Sequence, residues 1–555
     1  MSLAQRYLKP RPVAGSLALL LLLALLAFLT LYPIGLAFVK GFQVARPGEA
    51  AVWSLRGWQE AFGDPAIPKA LGSGILLSIV RTAIAALFGL FLAWAITRTD
   101  MTFKGLVEAL LWVGLFLPVT PLVLGWVLLL DPHYGRLNEL LRDSPSPWVF
   151  SIYSYGGILL ASLVFYVSLF ALVAIPAFRA LGARDRAMPT LAPALLVGGT
   201  LSFLKGLGSL DPELILGFPV GIRVASTKFW ELVHWEPPRY QIAMPMMVVL
   251  LVVSLALLFV MWALAGRRYI GILSQGLSQP ARPVGLGRWR YGALALCLLF
   301  FAVTILLPLS FLLVGSFQKL YGFFNIPDPW TARHWGDTFG DPVFLRSLRN
   351  TLLVGLVAGL GGALFYALVG YAMARMNLRA RGAMETLSWL PWALPGVLFS
   401  LAFLWWFLQT FGVDSPLYGT IWLLMIALVI KGLPVGSLAM RASIEGREGE
   451  PRARPWGLLP PLMPLVAAAG LFFFLFISAV QERGSLVLLA TFKSRSLSLL
   501  GIDYIAGAER ENAAVVGAFV VLLVLFLLAL AYLTMRLLGA WAARRRPGPE
   551  GPTTG

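Results

Sequence analysis

The sequence predicts an all-α integral membrane protein of about twelve transmembrane helices, arranged as two parallel six-helix repeats. Three observations predict it. Hydrophobic residues make up 59% of the 555 and charged residues 13%, with a mean hydropathy of +0.81, whereas a soluble domain carries about 25% charge. Apolar runs long enough to cross ~30 Å of hydrocarbon recur along the whole chain. Residues 58–118 return without a gap at 335–395, an offset of 277, with 19 of 61 positions identical. Trp58-x-x-x-Phe62-Gly63-Asp64-Pro65 becomes Trp335-x-x-x-Phe339-Gly340-Asp341-Pro342. Arg98, Gly105, Glu108, Trp112 and Leu117-Pro118 become Arg375, Gly382, Glu385, Trp389 and Leu394-Pro395.

Taken in order, the first half offers runs at Ala14–Phe38, Ala70–Thr97, Leu106–Leu130, Gly156–Ala177, Ala192–Gly217 and Ile242–Ala265. The second offers Gly292–Gly315, Thr351–Ala374, Met384–Leu408, Thr420–Met440, Leu458–Val480 and Ala513–Leu537. The first run has a basic lead-in but is too long for a signal peptide and lacks a small-x-small cleavage site, so it reads as an uncleaved anchor. An even helix number per half keeps both copies in one orientation, a parallel repeat about an axis along the membrane normal. Residues 1–265 then form one six-helix unit, 266–290 a basic linker, 291–540 the second unit and 541–555 a disordered tail.

One set of loops is short and basic, with Arg179/Arg184/Arg186, Arg267/Arg268, Arg375/Arg379/Arg381 and Arg544–Arg546; the other carries most acids, among them Asp64, Asp131, Asp341 and Asp503. The positive-inside rule places both termini in the cytoplasm. The formal charge of +18 then reports topology. These charges are spread over loops with no soluble domain to present them, which excludes nucleic acid as the partner and leaves membrane lipid. The repeated Trp/Phe-Gly-Asp-Pro element reads as a short helix at the outer interface, a depth aromatic rings favour.

Several chemistries are missing. The chain has no Gly-x4-Gly-Lys-Ser/Thr phosphate loop, no Gly-x-Ser-x-Gly and no His-Glu-x-x-His. Its three histidines, His133, His234 and His334, fall in outer loops, and its one cysteine, Cys297, lies within an apolar run. No metal site and no enzyme are read here; the class left is a transporter or channel.

With repeat and topology in hand, the chain resembles the membrane-spanning permease of a binding-protein-dependent ABC importer, in the fused two-domain form seen for ferric iron and thiamine. Trp58–Gly105 and its copy Trp335–Gly382 carry the likeness, with Leu210–Leu232 (LDPELILGFPVGIRVASTKFWEL) and Gln481–Ile505 (QERGSLVLLATFKSRSLSLLGIDYI). The resemblance implies two bundles around one path for a small solute. It also implies a soluble binding protein outside and two ATPase subunits inside, which hold ATP and Mg²⁺; this chain holds no cofactor.

The family meets its ATPases through a cytoplasmic loop of pattern Glu-Ala-Ala-x-x-x-Gly in each half. Here Pro176 stands where Glu is expected. The carried-over positions are Ala177, Arg179, Gly182 and Arg184 in the first half, and Arg441, Glu445 and Glu448 in the second, whose loop lacks the pattern. A plan of twelve helices in two halves also describes secondary transporters of the major-facilitator type. The basic turns at Arg98–Gly105 and Arg375–Gly382 resemble that family's loop after helix two, without its acidic-arginine core.

Charges inside the runs complete the candidates. Arg81, Lys205, Gln481 and Glu482 sit where an intramembrane charge faces a bundle interior or a water path. Two readings stand for the cations: they line the path, or they pair with a carboxylate such as Glu108, or snorkel. Glu108 and Glu385 are expected beside Arg98 and Arg375. Pro118 and Pro395 interrupt the third helix of each half and are expected to hinge it.

Overall fold

In a computed structural model, the structure describes residues 13–44, 51–142, 149–181, 187–266, 268, 269, 271, 272, 283–445 and 462–544. Among the described residues, nine helices of the first half have a counterpart in order in the second, and a short further helix, Arg136–Leu141, has none. The nine are α1 (Leu17–Lys40), α2 (Arg56–Gly63), α3 (Ala66–Arg98), α4 (Lys104–Phe116), α5 (Val119–Leu130), α6 (Tyr155–Ala180), α7 (Ala187–Leu207), α8 (Ala225–His234) and α9 (Tyr240–Gly266). Then come α10 (Trp289–Ser316), α11 (Arg333–Gly340), α12 (Pro342–Arg375), α13 (Leu378–Trp389), α14 (Gly396–Phe411), α15 (Ile421–Glu445), α16 (Leu462–Gln481), α17 (Leu497–Ala506) and α18 (Arg510–Arg544). Among the described residues, ten helices are long and apolar enough to cross a bilayer, up to twelve if each bent pair counts as one crossing.

The repeated Asp-Pro element starts the long helices. Asp341 Oδ1 accepts the Val343 N–H at 2.8 Å ahead of α12, and Asp64 Oδ1 accepts the Ala66 N–H at 2.9 Å ahead of α3. An N-cap carboxylate satisfies a backbone donor the helix leaves open, and proline suits the first turn because it has no N–H to satisfy. α2 and α11 are the short aromatic helices the sequence expects. Trp58 donates to Gly41 O at 2.8 Å and Trp335 to Ser316 Oγ at 3.2 Å, so each tethers its short helix to the end of the first long one.

The prolines at 118 and 395 break the third helix rather than hinge it. Proline pushes its predecessor out of helical geometry: Leu117 has ψ 131° and Leu394 ψ 119°. The chain bends by 94° between α4 and α5, and by 111° between the α13 segment and α14. The broken pair still connects opposite faces. Glu108 on α4 meets Arg179 at the end of α6 (3.0 Å), while Asp131 after α5 takes the hydroxyl of Tyr153 just before α6 (2.8 Å). Burial, with Asp131 beside it, pushes the Tyr153 hydroxyl up from its ordinary range, so it remains a donor.

The halves interlock. α1 packs on α14 of the other half and α10 on α5. Phe28 meets Trp406 at 5.4 Å between centroids, and Tyr321 donates to Leu124 O at 2.6 Å. A β-carbon added to Gly125 would lie 1.8 Å from Pro308 O, so only glycine admits that crossing. α1 and α10 each carry a π-turn just before a proline, Ala27–Leu31 before Pro33 and Ala302–Leu306 before Pro308, where the missing proline N–H loosens the ladder. The largest buried cluster takes side chains from both halves, among them Leu207, Phe229, Met247, Tyr366, Phe403 and Leu475. The outer surface stays apolar: Leu364 is 74% and Phe259 73% exposed, a face that suits hydrocarbon and not water.

Candidate functional site

The two breaks converge on a polar chamber of about 200 Å³ between the halves. Pro118, Val119, Pro395 and Gly396 bring the N-terminal ends of α5 and α14 to its wall. α7 supplies Lys205, α15 supplies Lys431, the end of α16 supplies Gln481, and the segments after α7 and α16 supply Ser209, Asp211, Glu482, Arg483 and Ser485. The walls nearly touch at Gly208, whose added β-carbon would lie 2.7 Å from the Pro395 side chain across the seam. A cluster of charges among apolar helices is costly unless each is partnered or faces water.

Most of these charges have partners. Lys431 donates to Leu394 O at 2.7 Å and Pro391 O at 3.0 Å, occupying the carbonyls that the second break leaves open. Arg483 is 4% exposed and reaches across the seam to Asp211 Oδ2 at 2.5 Å and to Thr120 Oγ1. Glu482 Oε1 accepts the Ser485 N–H at 3.1 Å. Lys205 lies with its ammonium 5.5 Å from the Trp392 ring centroid, and its charge, like that of Lys431, acts on the Glu482 carboxylate in the same chamber.

Of the four residues expected on the path, Lys205, Gln481 and Glu482 come together on this wall, and Arg81 does not. Arg81 is fully buried behind it, paired with Glu213 at 2.7 Å, and its other nitrogen faces Tyr166 Oη and Gly206 O at 3.4 Å. Ser209 Oγ donates to the second Glu213 oxygen at 2.7 Å. The pair pins the segment after α7 that forms one chamber wall. Its carboxylate is Glu213, not Glu108.

A second cavity of about 490 Å³ lies on the side of the basic loops. Its lining is apolar, with Trp112, Trp262, Met373 and Trp389, and the carboxylate and guanidinium of Glu385 and Arg441 at one edge. Trp392 and Leu201 line both cavities and so stand between them. Trp392 is fixed by its indole N–H, which donates to Lys431 O at 2.8 Å.

The carried-over coupling positions scatter. Ala177 is buried against Ala194 and Ile272. Arg179 pairs with Glu108, and Arg98, expected there, donates to Leu181 O at 2.6 Å. Arg441 pairs with Glu385 and with Glu445 (3.0 Å), and Glu445 also meets Arg381. Arg375, expected beside Glu385, lies over the Tyr371 ring at 5.3 Å. Gly182, Arg184 and Glu448 lie outside the described residues.

Lys431, Asp211 and Trp392 were not singled out from sequence. Lys431 had a signal, being a lysine in the middle of the run Thr420–Met440, which the cost of intramembrane charge flags. Asp211 and Trp392 had none, because only the folded seam brings them to one cavity.

No family model matches the chain. It is 22% identical over 482 residues to the ferric transport system permease protein FbpB of Actinobacillus pleuropneumoniae, covering 77% of this chain and 63% of that protein. It is 23% identical over 388 residues to a probable ABC transporter permease protein, y4fN, of Sinorhizobium fredii, covering 65% of this chain and 67% of that one. It is 24% identical over 230 residues to the sulfate transport system permease protein CysT of Salmonella typhimurium, covering 38% of this chain and 81% of that one. The chain thus spans just under two thirds of the length of the first of these relatives. The likeness to ABC importer permeases, ferric iron permeases among them, is borne out, and the chain is an all-α, multi-pass membrane protein.

Proposed function

We propose that this chain is the permease subunit of an ATP-driven importer in the bacterial inner membrane. Residues 1–265 and 291–540 act as its two units, joined by 266–290, with 541–555 as a cytoplasmic tail. A binding protein delivers a small solute from outside. The solute passes through the chamber at the seam, past Trp392, into the apolar cavity on the cytoplasmic side. Two separate ATPase subunits, holding ATP and Mg²⁺, dock at the ends of α6 and α15, near Arg179 and the Arg381–Glu385–Arg441–Glu445 network. Rocking of the two units about the seam opens the path to one side at a time.

The observation that carries this reading is the polar chamber itself. It is built by both halves at the two broken helices, where discontinuous helices place solute sites in transport proteins. Purification of the full chain from native membranes tests the reading. Co-purification of an ATPase, and solute uptake into proteoliposomes that stops when ATP hydrolysis is blocked, support it. Uptake driven by a proton gradient with no ATPase present contradicts it.

A further inference from the structure

The end of the linker is clamped to the first half. Val284 pairs with Thr99 in a parallel bridge: its N–H donates to Arg98 O at 2.7 Å, and its carbonyl accepts the Asp100 N–H at 3.1 Å. The Leu286 N–H then donates to Asp100 Oδ1 at 2.8 Å. The clamp sets the foot of α10 against the foot of α4, on the side of the basic loops. Three cations flank it. Lys104 donates to Thr99 O, Arg290 donates to the Tyr291 hydroxyl at 2.7 Å, and Arg288 is exposed. None of the three forms an ion pair among the described residues. Asp100 offsets one of them, and Glu108, one turn up α4, is taken by Arg179, so positive charge is in surplus. Aromatic rings stand among these cations. Trp289 is 79% and Phe103 72% exposed, and Tyr291 is exposed as well. Phe103 holds a left-handed backbone, φ 53° and ψ 33°, which is costly for a bulky residue. Exposed apolar side chains continue from them: Leu106 on α4, and on α10 Leu296, seven residues after Trp289 and so on the same face. Phe88 and Phe300 stack at 5.7 Å between α3 and α10.

We infer that the corner formed by α4, α10 and the linker clamp is a binding site for an anionic phospholipid of the leaflet on the side of the basic loops. Lys104, Arg288 and Arg290 hold its headgroup, Phe103 and Trp289 lie level with its glycerol, and a chain runs along Leu106 and Leu296. Three features of one corner carry this. Aromatic rings favour headgroup depth. Basic pockets between helices hold acidic headgroups, and the charge surplus here would be left unmet by a zwitterionic lipid. The apolar side chains beside the cations suit hydrocarbon and not water. The inference goes beyond the transport reading and does not depend on it, since it asks only that the chain span a bilayer.

Photo-crosslinking of the full chain in phosphatidylcholine nanodiscs tests this, with a titrated fraction of photoactivatable phosphatidylglycerol and adducts mapped by peptide. Adducts are expected on peptides that carry residues 99–106 and 284–296. They should saturate, exceed those from photoactivatable phosphatidylcholine at equal fraction, and be competed by unlabelled phosphatidylglycerol but not by inorganic phosphate. Arg288→Gln and Arg290→Gln should each raise the half-saturating fraction about fivefold, as loss of one charge near a lipid surface does. Arg379→Gln, which removes an exposed cation elsewhere on the same side, should leave it unchanged. Trp289→Ala should lower the yield of adducts, and serves as the second variant should the arginine variants fail to fold. Equal labelling by the two lipids would overturn the inference, as would labelling unchanged in the folded variants. An equal shift in Arg379→Gln would overturn it by assigning the effect to net charge. Competition by inorganic phosphate would overturn it in favour of a free-phosphate site.

Discussion

The first half secures its interior with one buried ion pair, and the second has none at the matching place. Arg81 in α3 is locked to Glu213, while the residue 277 positions on is Ala358, equally buried. The second half pins its outer segment with a neutral group: Asn350 Nδ2 donates to Lys493 O at 2.9 Å and Arg495 O at 3.0 Å. At the basic end the pattern reverses. Among the described residues, the first half shows one half-exposed pair, Glu108–Arg179, and the second a four-residue network of Arg381, Glu385, Arg441 and Glu445. Backbone features that make the shape recur in both copies: the Asp-Pro helix start, the π-turn before a proline and the break at Leu-Pro. Polar chemistry is free to differ, because it sets what each copy does and not how it folds.

The largest expected break in this comparison is Glu213→Gln. It leaves the Arg81 charge buried and unpaired, which costs about 3–5 kcal/mol. Thermal unfolding in detergent should show a steep loss of stability for Glu213→Gln. The double change Arg81→Met with Glu213→Leu should recover much of it, and Ala358→Ser in the second half should show little.

Next is Gly125→Ala. The added β-carbon meets Pro308 O, a backbone atom that cannot rotate away, so α5 and α10 must separate, at about 1–3 kcal/mol. The position 277 residues on is already Ala402, fully buried in α14, so the second copy holds a methyl group where the first excludes one. Ala402→Gly should cost less than Gly125→Ala in the same unfolding assay, and equal costs would mean the two crossings are as tight as each other.

The two basic-end clusters should rank as their burial does. Arg179→Ala breaks a half-exposed pair, worth about 0.2–1 kcal/mol. Arg441, 9% exposed at its side chain, holds two carboxylates, and Arg441→Ala should cost several times more. A smaller effect belongs to His234 at the end of α8, where α17 ends on Ala506. Burial holds the His234 imidazole below its ordinary range. The unfolded chain then binds the proton more readily, so stability falls as pH drops through about 6.5 and is recovered above it. His234→Gln should flatten that part of the stability–pH curve; an unchanged curve would place its origin elsewhere.

Much of the fold was legible in the sequence because a bilayer enforces it. Apolar length, loop charge and the 277-residue repeat gave the helix order, and Asp-Pro and the Trp/Phe element gave the ends of α2, α3, α11 and α12. The sharpness of the Pro118 and Pro395 breaks was not legible, since proline in a membrane helix can kink or break it according to what packs around the freed carbonyls. Here Lys431 takes two of them. The site was half legible. Lys205, Gln481 and Glu482 share the chamber, as their cost in a membrane suggests. Arg81 was bound elsewhere because its partner Glu213 lies 132 residues away, a pairing no local spacing reveals. Glu108 and Glu385 likewise found Arg179 and Arg441 across the bundle instead of Arg98 and Arg375.

The most direct test of the seam as a solute path is the accessibility of its chamber. Gln481→Cys in a Cys297→Ser background places one thiol on that wall. The full complex, in vesicles of known orientation, is treated with a membrane-impermeant thiol reagent, with and without a non-hydrolysable ATP analogue. The structure predicts labelling from the side of the basic loops without nucleotide, through the cavity past Trp392, and a shift of labelling toward the opposite face when the analogue binds. A thiol that stays unlabelled from both faces in every state would contradict a path through this chamber.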